Sequence, residues 1–148
     1  MTPRRKARSA AVQTLFERDF QARDPDEVLN ERLQETDLDE DHREFARRLV
    51  HGVLHHSEEI DACIAEAAPQ WPLEQIAHVD KNVLRLAIYE LMFDNSAPAK
   101  VAISEAIELA RLFGSGASPK FVNGVLGAVA GKMDIQASNT GVAGKELK

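Results

Sequence analysis

Apolar positions recur along most of this chain at spacings of three and four residues, and no segment alternates as a half-buried strand would. In the first such segment, about residues 4–21, Val12, Leu15, Phe16 and Phe20 fall on one helical face, with Arg4, Arg5 and Arg8 on the turns before it. Asp24-Pro25-Asp26 breaks the pattern, and a short acidic amphipathic helix over about 26–35 follows with Val28, Leu29 and Leu33 inward. A long helix is predicted from about 40 to 67 on the stripe Phe45, Leu49, Val53, Ile60 and Ile64; Pro69 and Pro72 stop it, with Trp71 between them. Residues 79–93 are apolar nearly all round, which marks a central helix. After Asn95-Ser96-Ala97-Pro98, a helix over about 99–113 places Ile103, Ala106, Ile107, Ala110 and Phe113 on one face.

Gly114-Ser115-Gly116-Ala117 ends that helix, and Ser118-Pro119 reads as an N-cap followed by proline at the first helical position. The last helix carries Val122, Val125, Leu126 and Val129. Gly124 inside it costs about 1 kcal/mol relative to alanine, which makes sense where another backbone comes close; helix packing is the commoner cause. From Met133 onward Asn, Thr, Gly and Lys dominate. The expectation is therefore an all-α domain over residues 1–132 and a disordered tail over 133–148.

At 148 residues the chain has the size of one domain and needs neither metal nor disulfide to fold. Cys63 is the single cysteine, which with no signal peptide in view suits a reducing cytoplasm. The basic start is not followed by an unbroken apolar stretch, so it does not read as a secretory signal, and no run approaches a membrane span. The net charge of −6 hides an asymmetry: residues 1–8 hold Arg4, Arg5, Lys6 and Arg8 and no acid, while residues 17–44 hold twelve acids and four basic residues. A phosphate backbone responds to the local patch rather than the average.

Catalytic patterns are missing from the sequence. There is no Gly-x-Ser-x-Gly elbow, and the Gly114 loop lacks P-loop spacing. Cys63 beside Ile64 reads as a structural thiol, with no cation near in sequence to activate it. His51 and His55 share a face and His56 adjoins them, but neither a cysteine nor the metalloprotease glutamate accompanies them, so they read as surface histidines. Glu105 and Glu108 read as solvated charge. The run from Gly114 to Phe121 is more suggestive. A glycine-rich loop entering a helix start can offer amides to phosphate, with Lys120 as a point charge and Phe121 as a ring for a base. The alternative is a plain cap with Phe121 in the core.

Read together, these pieces resemble a known family. The basic start running into Ala10-Ala11-Val12-Gln13-x-Leu15-Phe16 is similar to the opening of the NusB family of bacterial antitermination factors. So are Val79-Asp80-Lys81 with Leu84-Arg85-Leu86-Ala87-x-Tyr89-Glu90-Leu91, the run from Val101 to Ala110, Phe113-Gly114, and Lys120-Phe121-Val122-Asn123-Gly124-Val125-Leu126. The resemblance covers about residues 4–130. It implies a bundle of about seven helices in two packed subdomains, with no enzymatic activity, cofactor or metal. It implies binding of single-stranded boxA RNA together with NusE, a small-subunit ribosomal protein, within the transcription elongation complex and away from membranes; a homodimer is left open.

Carried onto this sequence, the implied RNA surface is Arg4, Arg5, Lys6, Arg8, Phe16, Lys120, Phe121 and Asn123, and the implied NusE contact is Asp80 on an exposed side of the 79–93 helix. Phe16 stands where the family often has tyrosine, Ala117 where it often has an acid, and Gly127 where it often has aspartate. Two other readings stay open: a helical protein-binding scaffold, and the NusB-like domain that fronts a ribosomal RNA methyltransferase. No glycine-rich cofactor site follows here for the latter.

Overall fold

Side chains start the first three helices. Thr2 accepts the Arg5 amide at 3.2 Å, Asp24 accepts that of Asp26 at 3.3 Å, and Asp39 accepts that of His42 at 2.9 Å. Each removes one of the orphan donors of a helix N-terminus, and Pro3 and Pro25 occupy first-turn positions where no amide is missed. The computed structural model describes the backbone of residues 1–140 and the side chains of residues 1–134. Its elements are α1 (Pro3–Arg18), α2 (Pro25–Gln34), α3 (Glu40–His55), α4 (Ser57–Ala67), a 3-10 turn (Leu73–Gln75), α5 (His78–Met92), α6 (Ala99–Phe113) and α7 (Ser118–Thr140). The fold is all-α, and the described residues hold no strand.

The near-uniform apolarity of α5 has the expected consequence. Val83, Leu84, Leu86, Ala87, Ile88 and Leu91 are all buried, and α5 touches α1, α3, α4, α6 and α7. The N-terminal helices α1–α3 and the C-terminal helices α4–α7 meet across it, in one continuous core.

Four local expectations give way. The long helix over 40–67 is two helices, broken at His56, whose φ of −105° and ψ of 22° leave the helical region. No glycine or proline marks the break; the His56 ring stacks on Phe93 with centroids 3.7 Å apart, a tertiary contact that redirects the chain. Phe20 does not join the α1 face. The helix ends at Arg18, and Phe20 is 59% exposed with its ring 4.6 Å from that of His78. Ser118 is not an N-cap outside the helix but its first residue, buried, with Oγ accepting the Ser115 amide at 2.9 Å. That hydroxyl fills the space of a Cβ on Gly114, which would lie 2.3 Å from it. Last, α7 runs to Thr140, past the expected end at 132, because no glycine or proline intervenes between Lys132 and Gly141. Residues 141–148 of the expected tail lie outside the described residues.

One buried ion pair joins the two halves. Arg8 of α1, 2% exposed, donates from Nε and Nη2 to both carboxylate oxygens of Glu90 on α5, at 2.9 and 2.8 Å. Removing one partner of such a pair strands the other charge in the core, which costs about 3–5 kcal/mol. Arg8→Ala is therefore expected to lower stability by about that amount in chemical denaturation, whereas Arg8→Met together with Glu90→Leu recovers most of it. A single Arg8→Ala variant as stable as the parent would show that Glu90 finds water.

Candidate nucleic-acid interface

The four basic residues of the start do not form one patch. Arg8 is held by Glu90 inside the protein, so its place on an RNA surface is not supported by its geometry. Arg5 lies against Glu105 of α6, donating at 3.0 and 2.9 Å, and stays partly exposed. Arg4 covers the Phe45 ring, its guanidinium carbon 3.8 Å from the centroid, and donates to Ser96 Oγ at 3.0 Å. Neither Arg4 nor Lys6 has an acidic ion-pair partner among the described residues, and Arg4 is held instead by Phe45 and Ser96.

Lys6 lines the first of three clefts, of which the first two share a wall. The first, between α1 and the end of α2, includes Lys6, Ser9, Gln13, Arg32 and Phe113. The second shares Gln13, Arg32 and Phe113 and adds Val12, Phe16 and Val79. The third begins at the neighbouring residue of α5. It is a cleft of about 210 Å³ lined by Trp71, Gln75, Ile76, Asp80, Ala117 and Phe121. Phe16 and Phe121, expected at the site from sequence, are thus half-buried rings with an accessible side, and Phe121 also packs on the core edge. Phe121 is therefore neither wholly in the core nor wholly exposed.

Two aromatic residues at these clefts went unassigned from sequence. Trp71 is 51% exposed and meets Phe121 edge-on, centroids 6.1 Å apart. The available signal was its place between two prolines, off every apolar stripe. Phe113 is the last residue of α6; the core stripe of that helix is Ala102, Ala106, Leu109 and Ala110, which leaves Phe113 exposed at the shared wall of two clefts.

Beyond Phe121, the outer face of α7 is a smooth polar strip. Lys120, Asn123, Gly124 and Gly127 are exposed, and Lys120 has no ion-pair partner among the described residues. A Cβ on Gly124 would meet nothing within 4 Å, so close helix packing does not explain that glycine. The strip can be approached closely by a backbone from outside.

Asp80 is 9% exposed rather than on an open helix face, because α5 is covered except at its ends. Its Oδ1 is buried without a hydrogen-bond partner and borders the Trp71–Phe121 cleft. A carboxylate oxygen in that position is an acceptor waiting for a donor. The neighbouring turn is held by Asp19 at the end of α1, which accepts from His78 Nδ1 at 2.9 Å, from Asn82 at 2.8 Å and from Arg85 at 3.4 Å. Burial works to raise the Asp19 carboxyl, but the His78 and Asn82 hydrogen bonds and the Arg85 charge outweigh it and hold it below its usual range.

Among the described residues no three His, Cys, Asp or Glu side chains gather as a metal site. His51 pairs with Asp26 at 2.7 Å, burial pushes the Cys63 thiol up, and no helix among the described residues is long and apolar enough to cross a membrane. Glu105 serves Arg5 rather than water, and the Arg5 hydrogen bond holds its carboxyl below the usual range.

Together, a helical bundle with aromatic clefts and flanking lysines defines a binding protein. The chain belongs to the NusB family, which its residues 5–131 match, and whose members are non-enzymatic transcription antitermination proteins. It is 44% identical over 128 residues to the transcription antitermination protein NusB of Dehalococcoides mccartyi (strain ATCC BAA-2266 / KCTC 15142 / 195), covering 86% of this chain and 90% of the relative. To that of Chloroflexus aggregans it is 48% identical, covering 85% of each. The solved NusB of T. maritima superposes with a TM-score of 0.81 at 42% identity, over 88% of this chain and 92% of that one. A crystal structure of antitermination factors NusB and NusE in complex with double-stranded RNA superposes with a TM-score of 0.79 at 31% identity, over 87% and 96%.

The Asp19 junction makes an acid prediction. A carboxyl held below its ordinary value of 3.8 stabilises the fold above that pH, and the contribution is lost as pH falls through the folded-state value. The melting temperature is expected to be level from pH 8 to about 5 and to fall below about 4. Asp19→Asn is expected to melt lower at pH 7 and to fall less steeply in acid. Parallel curves for the two proteins would remove Asp19 from the junction.

Proposed function

We propose that this protein binds single-stranded boxA RNA of nascent transcripts, those of ribosomal RNA operons above all, jointly with NusE, and thereby joins a termination-resistant elongation complex in the cytoplasm. The observation that carries this reading is the exposed Trp71–Phe121 cleft beside a smooth strip holding Lys120 and Asn123. Accessible rings bind unstacked bases and tolerate sequence, and an A-form duplex keeps its bases from them. Phe121 and Trp71 take bases, Phe16 continues the path along α1, and Asn123 reads a base edge. Lys6 and Lys120 meet phosphates, with Arg5 reaching them from beside Glu105. Arg4 and Arg8 support α1 from behind.

Asp80 is the contact for NusE on this reading. Its unpartnered oxygen suits a lysine or arginine arriving from a basic partner.

Trp71 is the sole tryptophan, so its fluorescence reports the cleft directly. A boxA oligonucleotide is expected to quench it, and the unlabelled single strand to compete better than its duplex. Losing a stacked base is worth about 1–3 kcal/mol, so Phe121→Ala and Trp71→Ala are each expected to weaken RNA binding by about one to two decades. Trp71→Ala is expected to melt as the parent does. Phe121→Ala is expected to lose some stability without unfolding, because only one side of its ring meets the core. Full-strength binding by a folded Trp71→Ala protein would move RNA away from this cleft.

Asp80→Lys is expected to weaken NusE binding in a pull-down or by calorimetry while the isolated protein still binds RNA. Loss of RNA binding with NusE binding intact would reverse the assignment.

A further inference from the structure

Ser9 is a buried hydroxyl with nothing to bond. It is 6% exposed, its Oγ has no hydrogen-bond partner, and it lines the cleft between α1 and the end of α2. Buried polar groups are almost always satisfied, so one left over at a cleft wall points to a ligand that supplies the missing partner. The other side chains around it narrow the chemistry. Lys6 has no acidic partner, Arg32 presents a guanidinium, Gln13 an amide, and Phe113 an exposed ring.

From this we propose that the α1–α2 cleft is a further nucleotide subsite, in which Ser9, Lys6 and Arg32 hold a phosphate and Phe113 takes the attached base. It rests on the RNA-binding reading above and extends the strand past Phe16 to a place outside the Trp71–Phe121 cleft. The donors are all of one kind: a hydroxyl, an ammonium and a guanidinium, as phosphate oxygens require. Two carboxylates also reach Arg32, Glu17 at 3.0 Å from Nε and Glu35 at 2.9 Å from Nη1. Both are partly exposed, Glu35 more so, and such pairs exchange readily for a phosphate because their worth in water is small. Until then they hold the guanidinium at the cleft rim. Phe113, Gln13 and Arg32 also line the adjoining cleft with Phe16, so the two clefts share a wall along which a strand could continue.

The test uses the whole chain and fluorescence anisotropy with a boxA oligonucleotide and with versions extended by three nucleotides at either end. One extension is expected to tighten binding to the parent protein, and Ser9→Ala, Lys6→Gln and Arg32→Gln are each expected to abolish that gain. Ser9→Ala removes a hydrogen bond to a charged group, so a loss of about tenfold is expected on the extended strand. Its melting temperature should equal or exceed that of the parent, since a stranded hydroxyl has gone. Lys6→Gln and Arg32→Gln should each flatten the salt slope by about 0.7. Unchanged affinity for every RNA in the Ser9→Ala and Arg32→Gln variants, with Trp71 still quenched, would overturn the subsite and leave the main reading standing. A parent protein that shows neither quenching nor saturable binding would overturn both. Variants that weaken NusE binding but not RNA would make the cleft a protein contact instead.

Discussion

The Arg8–Glu90 pair fixes how α1 lies on α5, and the binding surface depends on that rotation. A helix advances about 100° per residue. With Arg8 turned inward to Glu90, Lys6 lies about 160° round the helix from it, and Phe16 about 80° to one side. A slip of one residue in α1 would bury Lys6 or carry Phe16 out of the cleft it shares with Phe113 and Val79. The pair is a poor source of net stability, since well-packed apolar residues of equal volume often do as well. What it supplies is geometry: a bidentate guanidinium–carboxylate contact is satisfied at one position and angle, whereas alanine and leucine contacts along the same interface tolerate sliding.

The same pairing explains how an acidic chain can face a polyanion. Much of the positive charge of the start is already neutralised, by Glu90 and Glu105, so the net charge of −6 and the local run of basic residues both mislead. What a strand meets is the residue of this internal cancellation. Four acids of α2 and α3 are engaged with arginines: Glu27 and Glu31 with Arg23, Glu40 and Glu44 with Arg47. Lys6 and Lys120 stand near rings instead. On the proposed reading, affinity at such a surface would come more from stacking than from counterion release, and the expected dependence on salt is correspondingly shallow.

Periodicity made the helices legible, and the near-uniform apolarity of 79–93 made α5 central before any coordinates. The break at His56 was not legible, because it arises from stacking on Phe93, about forty residues away in sequence, rather than from a local breaker. The burial of Arg8 had a signal that charge counting passes over. Glu90 lies in a helix with almost no polar face, so it needs a partner cation, and Arg8 lies among Ala7, Ala10 and Ala11 on the apolar side of α1. Lys120 and Phe121 were legible from the glycine-rich loop entering a helix start and Asn123 through family resemblance, and all three lie at the start of α7. Ser9, Arg32 and Phe113 were not, because they come from three helices and only the packing of α1 on α2 brings them to one cleft.

That Asp80 and Phe121 line a single cleft has a thermodynamic consequence for any partner that uses either. A basic side chain entering to meet Asp80 Oδ1 changes the charge and the free volume beside the Phe121 ring. A base stacked on that ring in turn changes what the carboxylate sees. Two ligands so placed cannot bind independently, and whatever factor one applies to the other's affinity must be returned in the opposite direction. Neutralising a carboxylate next to a polyanion favours the second ligand. Coupling between two ligands that shared this cleft would therefore need no movement of the helices, because its wall lies at the start of the most buried helix.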